Sequence, residues 1–430
     1  ARAPGSSGED GISLFVVPAD TAGISRQWLP TMDQTRRQAE LVFDDVLLPA
    51  DALMDAEGSA WPLLEKTIDL ATVAVAAEQV PPAPQHPLRL RARDQVTEQV
   101  GGEHQAPALP SYGRAARVTH DPRRRAAGRR HPVPTAKQVA TLDYSMGFQA
   151  GSDRVFELAE KLTSMAPEGF TRVFFTNSGS ESADTSLKIA LAFHRASGEG
   201  HRTRLIGREK GYHGVNFGGM SVGGMTPNRK AFGSNLLPCV DHLPHTLNTK
   251  ENAFSRGQPP WGLHLAEDLE RLAQLHDGGN IAAVIVEPVP GSAGIIPPPV
   301  GYLERLREIC DQYGILLIFD EVINAFGRVG AAFGAERLGV MPDMINLAKG
   351  LTNGVIPMGA VLVRDEIYEA FMHGPHQLIE LFHGYTYSGH PVAAAAGVAA
   401  LEAYEEEGTF EQARSLEGHF EDALHSLANH

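Results

Sequence analysis

The chain has 430 residues, with 37 Lys and Arg against 52 Asp and Glu for a net charge of −15, 43% hydrophobic residues and two cysteines, which describes an acidic globular protein of two or three domains. Cys239 and Cys310 stand far apart outside any clustered pattern, so a disulfide framework, structural zinc and an iron–sulfur site are poorly supported and a reducing, cytoplasmic setting is expected. No apolar run approaches the roughly 18–20 residues that cross a bilayer and no signal-peptide succession opens the chain, so a membrane role drops out. The chain starts at Ala1 without Met and stops at His430 inside a helix-like pattern, and both ends are read as truncations.

Residues 12–17 and 41–48 read as strands between Gly- and Pro-punctuated turns, and 58–79 as a helix. Composition then shifts. Residues 81–137 hold nine Pro and ten Arg, with eleven basic residues against four acidic ones and no sustained period of 2 or 3.6. Such biased sequence need not pack, so this stretch is expected to be a linker. The cluster Arg123-Arg124-Arg125 has almost no interleaved aromatics in an otherwise acidic chain, which favours a solvated segment over a nucleic-acid patch.

From Gln138 onward strands and helices alternate, the mark of an α/β layer fold with a largely parallel sheet. Strands are expected at 172–176, 204–207, 281–286, 315–319, 344–347 and 359–363, and their continuous apolar character implies burial on both faces. Helices are expected at about 153–165, 181–196, 300–313 and 391–406. In the third, Leu303, Leu306, Cys310 and Tyr313 fall on one face and Gly314 supplies the stop. The glycines of Gly218-Gly-Met-Ser-Val-Gly-Gly follow no strong strand and open no clear helix, so they read as a mobile loop next to an active site rather than a dinucleotide loop.

Three places in this half carry chemistry. Thr176-Asn-Ser-Gly-Ser-Glu-Ser follows a strand and opens a helix, with Ser178 and Glu181 spaced as a capping box. Free N–H groups, a glycine and two hydroxyls there suit a phosphate, while a plain helix cap is the alternative. Asp320 ends an apolar strand where open α/β sheets bind ligands, and a carboxylate in such surroundings needs a cation such as a protonated ring nitrogen. Capping the following turn is its alternative role. Lys349, beyond another strand and beside Gly350, is placed for desolvation and Schiff-base chemistry, or is simply an exposed loop lysine. Phosphate cradle, carboxylate and imine-forming lysine together are what pyridoxal 5′-phosphate requires. His242 and His245 lack a third ligand in a metal-binding pattern, so no metal site is expected, and His213 reads as a packed or hydrogen-bonded histidine.

Residues 138–430 resemble the class III (fold type I) pyridoxal-phosphate aminotransferases, in particular the ω-amino acid:pyruvate (β-alanine:pyruvate) group. The resemblance rests on Phe174-Phe-Thr-Asn-Ser-Gly-Ser-Glu-Ser, Gly211-Tyr-His-Gly, Asn252-Ala-Phe-Ser-Arg-Gly-Gln-Pro, Ile318-Phe-Asp-Glu-Val-Ile, Ala348-Lys-Gly-Leu-Thr-Asn-Gly and Leu381-Phe-His-Gly-Tyr-Thr-Tyr-Ser-Gly-His-Pro. It implies a fold type I large domain over 138–400 and the start of a truncated small domain over 401–430. Lys349 would bind the cofactor covalently and shuttle the proton, and Asp320 would pair with the pyridine nitrogen. Ser178, Gly179 and Ser180 would hold the phosphate. Tyr212 would stack on one ring face and Val322 would pack on the other. Glu287 would support the 3′-hydroxyl side, and Thr386 would reach the phosphate of a neighbouring subunit in a homodimer.

The implied reaction is ping-pong: a donor such as β-alanine leaves as its semialdehyde and pyruvate becomes alanine. Other class III donors, diamines or amino-ketones, are the alternative.

Residues 1–80 resemble an acyl-CoA dehydrogenase fragment through Leu14-Phe-Val-Val-Pro-Ala-Asp, Thr31-Met-Asp-Gln-Thr-Arg and Val42-Phe-Asp-Asp-Val-Leu-Leu-Pro-Ala-Asp. No flavin site is carried over. The two resemblances joined by biased sequence suggest that 81–137 is an aminotransferase region read out of frame after a fusion. In that case an inactive chimera stands beside the aminotransferase reading, and a flavin acyl-CoA dehydrogenase is the reading from another class.

Overall fold

The computed structural model describes residues 12–18, 20–29, 38–44, 46–49, 52–54, 59–61, 134–148, 151–374 and 381–427. They fall in two compact units, one within the first 75 residues and one from Pro134 onward.

In the first unit, β1 (Ile24–Leu29) pairs antiparallel with β2 (Gln38–Phe43), Ile24 standing opposite Phe43. The strand expected at 41–48 therefore begins earlier and ends at Phe43. The stretch 12–17 makes only isolated bridges, Ile12 with Ser59 and Phe15 with Leu53, and is not a strand. Most of the helix expected at 58–79, and the expected linker up to residue 133, lie outside the described residues.

The second unit opens with α1 (Pro134–Thr141), which begins in the last four residues of the expected linker; Pro at a first helical turn loses no hydrogen bond. In chain order there follow α2 (Asp153–Met165), β3 (Phe170–Thr176), α3 (Gly179–Ala196), β4 (Arg204–Arg208), α4 (Phe217–Val222), α5 (Thr226–Phe232) and β5 (Val240–Leu243). Then come α6 (Glu267–His276), β6 (Ile281–Val286), α7 (Tyr302–Tyr313), β7 (Leu316–Asp320), α8 (Gly334–Leu338), β8 (Met344–Leu347) and β9 (Gly359–Arg364). The unit closes with α9 (Asp365–Phe371), α10 (Pro391–Glu406) and α11 (Thr409–Ser426).

The seven strands from β3 to β9 form one sheet in the order β3-β9-β8-β7-β6-β4-β5. Only β9 runs against its neighbours, so the other six share a direction and end along one edge. Strand side chains alternate between two cores. Ile206, Val284, Val286, Leu317, Phe319, Ile345 and Leu347 meet α2, α6, α7 and α10 on one face. Leu205, Ala283, Ile285, Leu316, Ile318, Met344 and Val361 meet α3 on the other. With helices on both faces, all six residues of β6 are buried, which is why the strands read as unbroken apolar runs. Gly314 adopts the left-handed conformation (φ 63°) that stops α7.

Residues 217–222 depart from expectation. They are not a mobile loop but the short helix α4, buried from Gly218 to Val222, with the Gly219 N–H donating to Asp184 Oδ1 at 2.8 Å. Burial holds the Asp184 carboxyl above its usual range, against the hydrogen bonds from α4 that lower it.

Candidate active site

The shared edge of the six parallel strands gathers the groups singled out from sequence. At the end of β3, Ser178 is the extended N-cap of α3 (φ −162°, ψ 164°), and its Oγ accepts the Glu181 N–H at 3.2 Å. The Glu181 carboxylate reaches back to the Asn177 N–H (2.7 Å) and Nδ2 (2.9 Å), so the box closes one residue earlier than the sequence pattern implies. Ser182 pins the start of α3 to the sheet: its Oγ donates to the Leu347 carbonyl at 3.0 Å and lies 2.8 Å from Thr176 Oγ1.

Close approaches define the cradle. A Cβ on Gly179 would stand 3.0 Å from both methyls of Val322 and 3.5 Å from the Ala348 Cβ, so the beginnings of α3, of the loop after β7 and of the segment carrying Lys349 meet at one point. Ser180 Oγ accepts the Val215 N–H at 3.1 Å. Gly214, at φ +91°, lies so close that a Cβ there would come within 2.3 Å of that Oγ.

Asp320, the last residue of β7, is 4% exposed and uses both carboxylate oxygens. One accepts the Val322 N–H at 3.2 Å, so the turn-capping alternative holds as well. The other lies 2.8 Å from Nδ1 of His213, itself 1% exposed. His213 is therefore the polar partner that the buried carboxylate required, a role that its sequence position beside Tyr212 did not disclose. His213 Nε2 is buried without a hydrogen-bond partner.

Glu287 follows β6, the strand beside β7. Its carboxylate accepts the Tyr212 N–H and the Gly291 N–H, each at 2.9 Å, and burial raises its pKa. The buried Arg208 donates from Nη2 to the Glu287 carbonyl at 2.6 Å. Burial likewise raises the Tyr212 phenol, with Asp320 and Glu287 adding to the effect, which places all three within electrostatic reach.

Lys349 lies two residues beyond β8, half-buried and in the left-handed region (φ 42°), a costly conformation for a residue with a Cβ. Burial lowers its amine pKa and Arg328 adds to the lowering, while Asp320 and Glu287 oppose it. Tyr404 on α10 donates to the Gly350 carbonyl at 2.8 Å and fixes the next peptide. Thr386 stands apart from this group: it is exposed, and its carbonyl accepts the Tyr144 hydroxyl at 3.1 Å.

The histidines weighed for metal binding do other work in part: His242 Nε2 lies 3.0 Å from the Gly223 carbonyl and 3.3 Å from Arg229 Nη1. Among the described residues no helix is long and apolar enough to cross a membrane. Sequence reasoning missed Asn324. Its side chain pairs with the Val289 backbone, donating to the carbonyl at 3.0 Å and accepting the N–H at 2.8 Å. Only a fold that brings residues 289 and 324 together reveals that role.

Residues 126–430 match the family model "Aminotransferase class-III", and the chain belongs to that family. It is 61% identical over 293 residues to an omega-aminotransferase of Caulobacter vibrioides, covering 68% of this chain and 66% of the relative. To a β-alanine–pyruvate aminotransferase of Pseudomonas aeruginosa it is 56% identical over 295 residues, covering 68% and 65%. Among solved structures it resembles an amine transaminase from an uncultivated Pseudomonas species in its PLP-bound form (TM-score 0.59, 42% identity, 64% of this chain and 62% of that one). The chain thus spans just under two thirds of the length of these curated relatives.

Class III aminotransferases depend on pyridoxal phosphate, and the residues present fit that group. The close approach at Gly179 and the hydroxyls of Ser178 and Ser180 suit a phosphate, Asp320 is a buried carboxylate at a strand end, and Lys349 is an amine whose pKa burial lowers.

Proposed function

We propose that this chain is a pyridoxal-phosphate-dependent aminotransferase that takes the amino group of an ω-amino acid or amine, such as β-alanine, and passes it to pyruvate, giving a semialdehyde and alanine. The observation that carries this reading is the joint occurrence, at the ends of the neighbouring strands β7 and β8, of buried Asp320 and half-buried Lys349 beside the Gly179 cradle. The donor and acceptor are argued from the printed functions of the omega-amino acid and β-alanine–pyruvate relatives. A putrescine–pyruvate aminotransferase of Pseudomonas aeruginosa at 40% identity supports a diamine donor as the second reading.

When bound, pyridoxal phosphate supplies an aldehyde that captures amines and a ring that draws electrons from the bond to be broken. The chain's own residues do the rest. Lys349, whose amine pKa burial lowers, takes a proton at Nζ and returns it. Asp320 would hold the protonated ring nitrogen, and His213 fixes its carboxylate at 2.8 Å. Ser178, Gly179 and Ser180 bind the phosphate, Tyr212 and Val322 enclose the ring, and Glu287 supports its hydroxyl side. Thr386 serves the site of a second copy, which makes a homodimer part of the proposal.

The domain division proposed with this function is an acyl-CoA dehydrogenase-like fragment over 1–80, a linker over 81–137, a cofactor-binding large domain over 138–400 and the start of a small domain over 401–430. The proposed setting is the cytoplasm. Alanine formation from pyruvate, measured against a panel of β-alanine, putrescine and simple amines, tests the reaction. Turnover with β-alanine supports the first reading, putrescine preference supports the second, and no alanine from any donor refutes both.

A further inference from the structure

The loop between β7 and α8 touches each part of the site. Val322 lies against Gly179, Asn324 is locked to Val289 just beyond Glu287, and Phe326 packs so closely on Gly350, beside Lys349, that a Cβ there would come within 2.9 Å of the Phe326 ring. Two backbone hydrogen bonds fold the loop on itself, from the Phe326 N–H to the Ala332 carbonyl (2.7 Å) and from the Gly327 N–H to the Ala331 carbonyl (3.0 Å). One side chain joins its ends. Glu321, fully buried next to Asp320, accepts the Gly334 N–H at 2.5 Å and the Ala335 N–H at 2.8 Å.

A carboxylate is costly to bury, and here each of its two oxygens is matched by a backbone N–H. The gain lies in geometry. Two charge-assisted hydrogen bonds from one rigid group fix both position and direction of the returning chain.

We propose that Glu321 is a positioning residue for the cofactor: its carboxylate clasps the loop's start to its end and thereby holds Val322, Asn324 and Phe326 against the segments that carry Gly179, Glu287 and Lys349. The inference rests on the proposed cofactor reading and adds a residue that touches neither cofactor nor substrate. A clasp of this kind predicts local loosening and weaker cofactor binding, whereas a residue serving general stability predicts neither by itself.

The test uses the full chain at pH 8 with three variants. Glu321→Gln keeps the shape but replaces one acceptor with a donor that faces an N–H. Gly334→Pro deletes one donor at a first-turn position, where proline is tolerated. Gly334→Ala keeps the N–H and controls for the added Cβ. Amide hydrogen exchange of the unloaded chain and the Kd for pyridoxal phosphate, followed by absorbance, are both measured.

The expected result is faster exchange confined to residues 322–335 in Glu321→Gln and Gly334→Pro, with binding weakened about tenfold, the effect of losing roughly one charge-assisted hydrogen bond, and with Gly334→Ala nearer the parent. Three results overturn the proposal. The first is a Kd within twofold of the parent in both variants. The second is exchange that rises evenly through β6 and α7 as well. The third is failure of both variants to fold. A parent chain that binds no pyridoxal phosphate defeats the cofactor reading and this inference together, while a parent that binds alongside unaffected variants defeats this inference alone.

Discussion

Gly214→Ala offers a quantitative test of the cradle, because the structure separates two costs at this position and provides a second glycine that carries only one. Gly214 sits at φ +91°, and a Cβ there would lie 2.3 Å from Ser180 Oγ, 2.6 Å from Ser180 Cα and 2.7 Å from Ser180 Cβ. Gly198, just past α3, has a similar φ of +83° and nothing within 4 Å of its Cβ position. Placing alanine in the left-handed region costs about 1–2 kcal/mol, and this is the whole expected cost at Gly198. At Gly214 overpacking adds about 1–3 kcal/mol more, because the nearest atoms include the backbone of α3, which is pinned to the sheet through Ser182. Ser180 is also displaced, so Gly214→Ala is expected to weaken pyridoxal-phosphate binding and Gly198→Ala to leave it unchanged. Urea unfolding and an absorbance titration measure the two effects. Equal stability losses, with equal cofactor affinity, would refute the argument that Gly214 and Ser180 together form the cradle.

Burial pushes the Cys310 thiol up to about 12, whereas Cys239 is exposed; a thiol reagent should therefore label one cysteine rapidly in folded protein and both in urea, and equal rates in the folded state would contradict the packing of α7. Burial, with Asp320 and Glu336 adding to it, raises Glu321 from 4.5 to about 7. The folded chain then holds a proton that the unfolded chain has released between these values, so this group's contribution to stability falls as pH rises from about 4.5 to about 7. Glu321→Gln should gain on the parent by roughly 3 kcal/mol across that interval, and parallel stability–pH curves would exclude the effect. Tyr404→Phe removes the hydrogen bond to the Gly350 carbonyl and should cost about 1 kcal/mol in thermal unfolding, with cofactor affinity reduced; an unchanged melting temperature would show that bond to be without weight.

The parts of the fold legible in the sequence are those where one physical pattern dominates. β6 and β8 fall at the expected 281–286 and 344–347, because apolar runs bounded by turns had no competing reading. α2 and α10 match at 153–165 and 391–406, the first through an amphipathic pattern and the second through an Ala-rich apolar run that opens on Pro391. Elements passed over include the core-packed α6, with Leu269, Leu272 and Ala273 buried, as well as shorter ones. β5 carries Asp241 and His242 among its four residues and α4 is glycine-rich, whereas α11 occupies the helix-like pattern read up to the end of the chain. For the candidate site, Ser178, Asp320 and Lys349 were legible because each stands at a strand end with a local motif. Sequence carried no sign that His213 would pair with Asp320, or that Glu321 would reach Gly334 thirteen positions on, since both contacts depend on how the segments return to the sheet edge.

The account's central claim is that Lys349, Asp320 and the Gly179 cradle form a working cofactor site in this chain. An absorbance spectrum of the purified protein with added pyridoxal phosphate, taken for the parent and for Lys349→Ala, tests it most directly. The account predicts a band near roughly 410–430 nm from lysine-bound cofactor in the parent, absent in Lys349→Ala, bleached by β-alanine and restored by pyruvate. A soluble parent chain that unfolds cooperatively yet develops no such band would contradict the claim.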